Sequence, residues 1–143
     1  MSHYVIGDVH GCTAGLEALL TKLAPSAEDK LTFIGDLVGK GPDDWGVLRM
    51  VRGLPNMQII LGNWDLFFLK QHYEAMSAQR LNDEQMCCYS MLQHASLAKW
   101  HMQTDSLLVH AGVWPGWSVR EVLSLASEVE AILKDMDLTD NNL

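Results

Sequence analysis

The chain has little cysteine, little proline, few positive charges and no long apolar run. Its 143 residues include only three cysteines, Cys12, Cys87 and Cys88, and four prolines. An odd count, two of them adjacent and no Cys-x-x-Cys pair, supports neither a disulfide framework nor a thiolate zinc site. Cys87 and Cys88 read as buried thiols on a helix, with a soft-metal site as the alternative. Ten lysines and arginines stand against 18 aspartates and glutamates, a net charge of −8. Nucleic acids and anionic membranes both require clustered cations, so neither is an expected partner. No segment approaches the ~20 apolar residues of a membrane span. The N-terminus runs directly into Tyr4-Val5-Ile6 without a basic region, so a cytoplasmic location is expected.

What is present is an ordinary globular composition, 48% hydrophobic and 20% charged. A chain of this length suits one domain, 1–143, that buries roughly two thirds of its unfolded surface. Short runs rich in Val, Ile and Leu at 4–7, 31–35, 58–62 and 107–109 read as buried strands. Leu16, Leu19, Leu20 and Leu23 recur at i, i+3, i+4, i+7, a helical stripe. Trp45, Leu48 and Val51 form a shorter stripe, entered through Pro42-Asp43-Asp44. Residues 66–78, 84–100 and 119–133 read as further helices, the last with Ser118 and Glu121 at capping-box spacing. The alternation predicts an α/β fold with right-handed crossovers.

Each predicted strand ends in a side chain able to ligate a metal: Asp8, Asp36, Asn63 and His110, with His10 two residues past Asp8. Ligands of open α/β sheets gather beyond the carboxyl ends of the strands, so these side chains are expected in one cleft. Singly, each has a plain structural reading as helix cap, turn residue or core histidine. Four such coincidences, three directly behind a glycine, favour the shared cleft. Oxygen and imidazole donors together suit manganese, iron, zinc or nickel better than calcium. Asp36 is best placed to bridge two ions ~3.5–4 Å apart, an arrangement that clamps a phosphate. Bound cations are also the simplest way for so acidic a chain to neutralise phosphates. The Gly39-Lys40-Gly41-Pro42 turn adds the cation of Lys40. Trp114 and Trp117, on a Pro-Gly turn after His110, read equally as a base-stacking pair or as a small apolar cluster.

These motifs resemble the metallophosphoesterases of the phosphoprotein-phosphatase group. Gly7-Asp8-Val9-His10-Gly11 matches Gly-Asp-x-His-Gly, and residues 35–41 are similar to Gly-Asp-x-x-x-Arg-Gly. Gly62-Asn63-Trp64-Asp65 is similar to Gly-Asn-His-Asp, in the same order and spacing. Within the group the chain looks most like the bacterial symmetrical dinucleoside tetraphosphatases. The likeness extends through residues 107–118 and 126–131 and is least clear from about 70 to 105. It implies a helix-flanked β-sandwich and hydrolysis of diadenosine tetraphosphate to two ADP by metal-activated water. It further implies two divalent ions, manganese first, with cobalt, iron, zinc or nickel as alternatives. Asp8, His10 and Asp36 would hold one, and Asp36, Asn63 and His110 the other. Lys40, at the position of the family's phosphate-binding arginine, would meet the substrate's phosphates, and Trp114 and Trp117, on the stacking reading, its base.

Three departures from the pattern matter. The histidine that the resemblance assigns as general acid is Trp64, whose indole has no titratable proton; a general acid is typically worth about 10²–10⁴-fold in rate. The phosphate-binding arginine is Lys40, which keeps the charge and loses the bidentate fork. Family members also continue past residue 143 and supply a further histidine ligand, so the chain is expected to be the N-terminal portion of the family domain. Impaired turnover follows. The alternatives are a catalytically inactive metal- or nucleotide-binding protein, or a truncated remnant that dimerises through an exposed sheet.

Overall fold

Three short apolar runs pair in parallel and carry the rest of the chain. In the computed structural model, which describes residues 1–135, they are β1 (His3–Ile6), β2 (Lys30–Ile34) and β3 (Met57–Ile60). Residues 136–143, the end of the expected domain, lie outside that description. β2 is central, flanked by β1 and β3. Crossovers pass through α1 (Thr13–Leu23) and α2 (Asp44–Arg52). The chain continues as α3 (Asn63–Ser77), α4 (Asp83–Gln93), β4 (Ala98–His101), β5 (Ser106–Val109) and α5 (Val119–Asp135).

The predicted caps form. Gly46 N–H donates to the Asp43 carboxylate at 2.8 Å to open α2. At α5, Ser118 N–H donates to Glu121 at 2.7 Å, and Glu121 N–H returns to the Ser118 hydroxyl at 3.3 Å. Phe33 of β2, Leu37 and Val38 of the loop after it, and Val47, Leu48 and Val51 of α2 are wholly buried. Each contributes roughly 1.5–3 kcal/mol relative to exposure.

On the C-terminal side one expected helix is cut short, and an expected strand forms outside the parallel sheet. The helix expected over 84–100 ends at Gln93, and residues 98–101 pair antiparallel with 106–109. Leu92, Leu97 and Trp100 keep a helical look, but cross-strand pairing in the tertiary structure overrides it. The strand expected at 107–109 therefore belongs to a separate two-stranded ribbon. The position next to β3 is taken by a single parallel bridge from Ile60 to Ser96. The cysteine pair also divides: Cys88 is buried and Cys87 exposed.

His3 of β1 and His101 of β4 face one another. His3 Nδ1 is 2.7 Å from His101 Nε2, His3 Nε2 is 2.7 Å from the Thr32 hydroxyl, and His101 Nδ1 is 2.7 Å from Thr104. This chain of polar groups ties the ribbon across one face of the parallel sheet. α5 packs on β4 with Val122 and Ala126 buried, leaving Leu125, Val129 and Ile132 between 40% and 64% exposed. No helix among the described residues is long and apolar enough to cross a membrane.

Burial holds the pKa of His3 below its usual 6.5, and the neighbouring His101 and Lys30 lower it further. A histidine depressed in the folded state contributes stability that is present above its unfolded pKa and lost as pH falls through the folded value. Lowering the pH from about 8 to about 5 is therefore expected to reduce the melting temperature more in the wild type than in His3→Gln. Thermal melts across that range check this, and parallel curves would remove the histidine pair as the cause.

Candidate metal centre

Register brings the strand ends together. Ile6 pairs with Phe33 and Ile34 with Ile60, so Asp8 and Asp36 emerge at neighbouring positions on one edge. The loops after the strands are then hydrogen-bonded to each other. Val9 and His10 N–H both donate to the Asp36 carbonyl, at 3.0 and 2.9 Å, and Gly11 N–H to the Leu37 carbonyl at 2.9 Å. His10 and Asp36 have φ of 49° and 53°. A non-glycine residue held in the left-handed region costs of order 1–3 kcal/mol, a strain that persists only where the surroundings impose it.

What imposes it is Asp65. Wholly buried, its carboxylate accepts Asp36 N–H and Leu37 N–H at 2.9 Å and Gly62 N–H at 2.8 Å. Burial pushes its pKa up to about 6 against these three donors, with the Asp36 charge adding to the rise. In the sequence Asp65 stands only as the last residue of the Gly62-Asn63-Trp64-Asp65 motif, with no role assigned to it. Its available signal was position: an acid three residues after Gly62 at a helix start, where a capping acid sits.

The side chains converge as follows. His10 Nε2 lies 3.4 Å from Asp8 and 3.8 Å from Asp36 Oδ2, while His110 Nε2 lies 3.5 Å from Asp36 Oδ1. Ligand atoms of Asp8, Asp36 and His110 all fall within 4.8 Å of one another. Both imidazoles turn Nδ1 to a main-chain carbonyl, His10 to Val38 at 3.2 Å and His110 to Ile34 at 2.7 Å. A carbonyl only accepts, so Nδ1 carries the proton and the Nε2 lone pair faces the carboxylates. In the neutral imidazole this sets two lone pairs against each other across 3.4–3.8 Å, with no proton between them to make a hydrogen bond. The spacing suits donors that each reach ~2.0–2.2 Å to a shared cation, so donor chemistry and geometry both fit a metal.

Two of the glycines have a direct cause. A side chain at Gly35 would strike the His110 ring, and one at Gly62 would strike the Asp36 carboxylate. Gly7 has open space around it, so the third is not a packing requirement. Asn63 opens α3 as an exposed residue and lines, with His110, Val109, Leu125 and Trp117, an open groove of about 370 Å³. Trp64 N–H donates to Asp36 Oδ1 at 2.9 Å, and its indole stands edge-on to His10 with ring centroids 6.2 Å apart. Lys40 is exposed, its Nζ 5.2 Å from the Trp64 ring. Trp114 and Trp117 are 67% and 48% exposed, so they form no buried cluster under their turn. His72 packs against Trp45 and Phe68, away from the centre.

A fold that joins three parallel strand ends to a carboxylate and imidazole centre defines a metal-dependent phosphoesterase. The calcineurin-like phosphoesterase family matches residues 1–141, and the chain belongs to that family. Among its relatives are symmetrical bis(5'-nucleosyl)-tetraphosphatases. That of Pectobacterium atrosepticum is 38% identical over 144 residues, covering 93% of this chain and 51% of the relative. That of Coxiella burnetii is 34% identical over 141 residues, covering 92% and 48%. The chain thus spans about half the length of the curated relatives it matches. A crystal structure of a proposed diadenosine tetraphosphatase superimposes with a TM-score of 0.67 at 32% identity, covering 82% of this chain and 53% of that one.

Replacing Asp65 by asparagine turns an amide against main-chain donors and leaves at least one unpaired. We expect Asp65→Asn to lose about 1–3 kcal/mol of unfolding free energy and to weaken manganese binding as the Asp36 loop loosens. Denaturant unfolding and metal titration measure the two effects. Wild-type values in both would remove Asp65 as the anchor.

Proposed function

We propose that the chain is the metal-binding half of a cytoplasmic phosphoesterase acting on dinucleoside tetraphosphates, with diadenosine tetraphosphate cleaved to two ADP and turnover impaired in this chain. The observation that carries the proposal is Asp36, which turns one carboxylate oxygen toward His10 and the other toward His110. That arrangement supports a bridging role between two divalent ions, manganese first. Asp8 and His10 would complete one ligand set, and Asn63 and His110 the other. Such ions, when bound, supply Lewis-acid polarisation of a phosphoryl group and a nucleophile at neutral pH.

The chain's own residues do the rest. Val38 and Ile34 carbonyls keep the two imidazoles in the metal-binding tautomer. Lys40, exposed beside the Trp64 ring, would offer a cation to a phosphate, and Trp117, lining the groove with His110, and the exposed Trp114 would offer rings to a base. Trp64 brings no titratable proton to a leaving group, which is the reason to expect slow turnover. A catalytically inactive metal- or nucleotide-binding protein is the second reading, favoured by that same residue.

Metal titration of wild type and Asp36→Ala tests the ligand set: the variant should lose most of the bound manganese, and identical isotherms would overturn the assignment. Turnover of diadenosine tetraphosphate with manganese or cobalt, in wild type and Trp64→His, tests the reaction. Measurable wild-type turnover supports the hydrolase. No turnover in either protein with metal binding intact supports the inactive reading, and a gain confined to the variant identifies Trp64 as the lesion.

We further propose that the dimer expected through an exposed sheet forms instead through the apolar face of α5, where Leu125, Val129 and Ile132 are exposed. Light-scattering mass should then fall from dimer to monomer in Val129→Glu/Ile132→Glu, and a monomeric wild type would refute it.

A further inference from the structure

We infer that Trp64 is a positioning residue for Lys40, its indole holding the ammonium group and the turn at 39–41 beside the metal centre. The inference rests on reading Lys40 as the phosphate-contacting cation. Both residues depart from the family motif, and they touch each other. Lys40 Nζ stands 5.2 Å from the indole centroid, inside the ~6 Å range of a cation–π contact. None of the ion pairs among the described residues includes Lys40. The indole is thus its electrostatic partner.

The turn is shaped around the same ring. Gly39 has φ of 84°, and a side chain on it would drive into the indole. Lys40 follows in the left-handed region at φ 68°, a conformation that needs outside support in a non-glycine residue. Two contacts supply it: Gly39 N–H donates to Asp44 at 2.8 Å, and the indole packs against Gly39. Trp64 is itself fixed from its other sides. Its main-chain N–H donates to Asp36, its ring meets His10 edge to face, and the Phe67 ring, one helical turn on, lies 6.1 Å away. One residue therefore connects a metal-ligand carboxylate through its main chain, and a metal-ligand imidazole and the Lys40 cation through its indole.

The physical need is specific to lysine. An arginine fork is planar and preorganised, whereas an ammonium on four rotatable bonds is a mobile point charge. An aromatic face narrows where that charge dwells. A histidine at 64 offers a smaller ring, and once protonated it would repel the lysine. Lysine at 40 and tryptophan at 64 are in this sense a matched pair.

A double-mutant cycle on ADP affinity at fixed manganese tests this, using Lys40→Met, Trp64→Leu, their combination, and Trp64→Phe. With Lys40 present, Trp64→Leu should weaken ADP about two- to fivefold. In the Lys40→Met background it should have no further effect, and Trp64→Phe, which keeps an aromatic face, should retain most of the affinity. Equal losses in both backgrounds would overturn the inference, because a merely structural residue acts independently of the lysine. A ligand-free readout separates its failure from that of the underlying reading. The Lys40 methylene protons next to nitrogen should be shifted upfield in the NMR spectrum by the indole ring current and return on Trp64→Leu. Absence of that shift overturns the contact itself. A shift that is present, with ADP affinity unchanged in Lys40→Met, overturns instead the phosphate role of Lys40.

Discussion

The three hydrogen bonds into the buried carboxylate of Asp65 are the constraint on which the centre depends. They join the start of α3 to the loop after β2, and that loop carries the Asp36 carbonyl that in turn holds Val9 and His10. Three strand-end loops thereby become one unit. Burial makes the arrangement strong in both directions: the same low-polarity surroundings that raise the Asp65 pKa to about 6 also make its hydrogen bonds costly to lose.

That anchoring accounts for the backbone strain. His10, Asp36 and Lys40 all have positive φ, and each is a residue the proposed chemistry uses. A glycine would reach these conformations at less cost but could not bring an imidazole, a carboxylate or an ammonium. The chain instead places glycines next to them, at 35, 39 and 62, where the space of a missing side chain is filled by His110, Trp64 and Asp36 respectively. Rigidity around the centre contrasts with the open groove beside it and the exposed apolar residues of α5. The centre is thus tied by hydrogen-bonded loops on the side built by residues 1–65 and faces an open groove toward the ribbon and α5.

Much of this is legible from local pattern. The parallel strands, the helix stripes of α1 and α2, and the caps at Asp43 and Ser118 depend on periodicity and on contacts three or four residues apart, which a sequence displays directly. The convergence of Asp8, His10 and Asp36 is legible for a related reason: they lie just past the ends of neighbouring parallel strands and so meet at one edge, whereas His110 reaches them from the separate ribbon. The β4–β5 ribbon and the end of α4 are not legible in that way. Residues 94–101 satisfy a helical pattern about as well as an extended one, and partners at 106–109 and at Ile60 decide between them.

By itself the sequence determined the chemical inventory: an acidic chain, a carboxylate and imidazole ligand set at strand ends, and tryptophan and lysine where the motif has histidine and arginine. Those are properties of residue identity and spacing, which folding does not change. Tertiary structure alone decided how the inventory is used. It turned the Asp36 oxygens toward two histidines, made Asp65 the hub of three loops, set Lys40 over the Trp64 ring and paired His3 with His101. Apart from the local Asp65–Gly62 bond, each of these contacts joins residues 24 to 98 positions apart in the chain, where no local period carries information and only packing can bring the groups within a few ångströms.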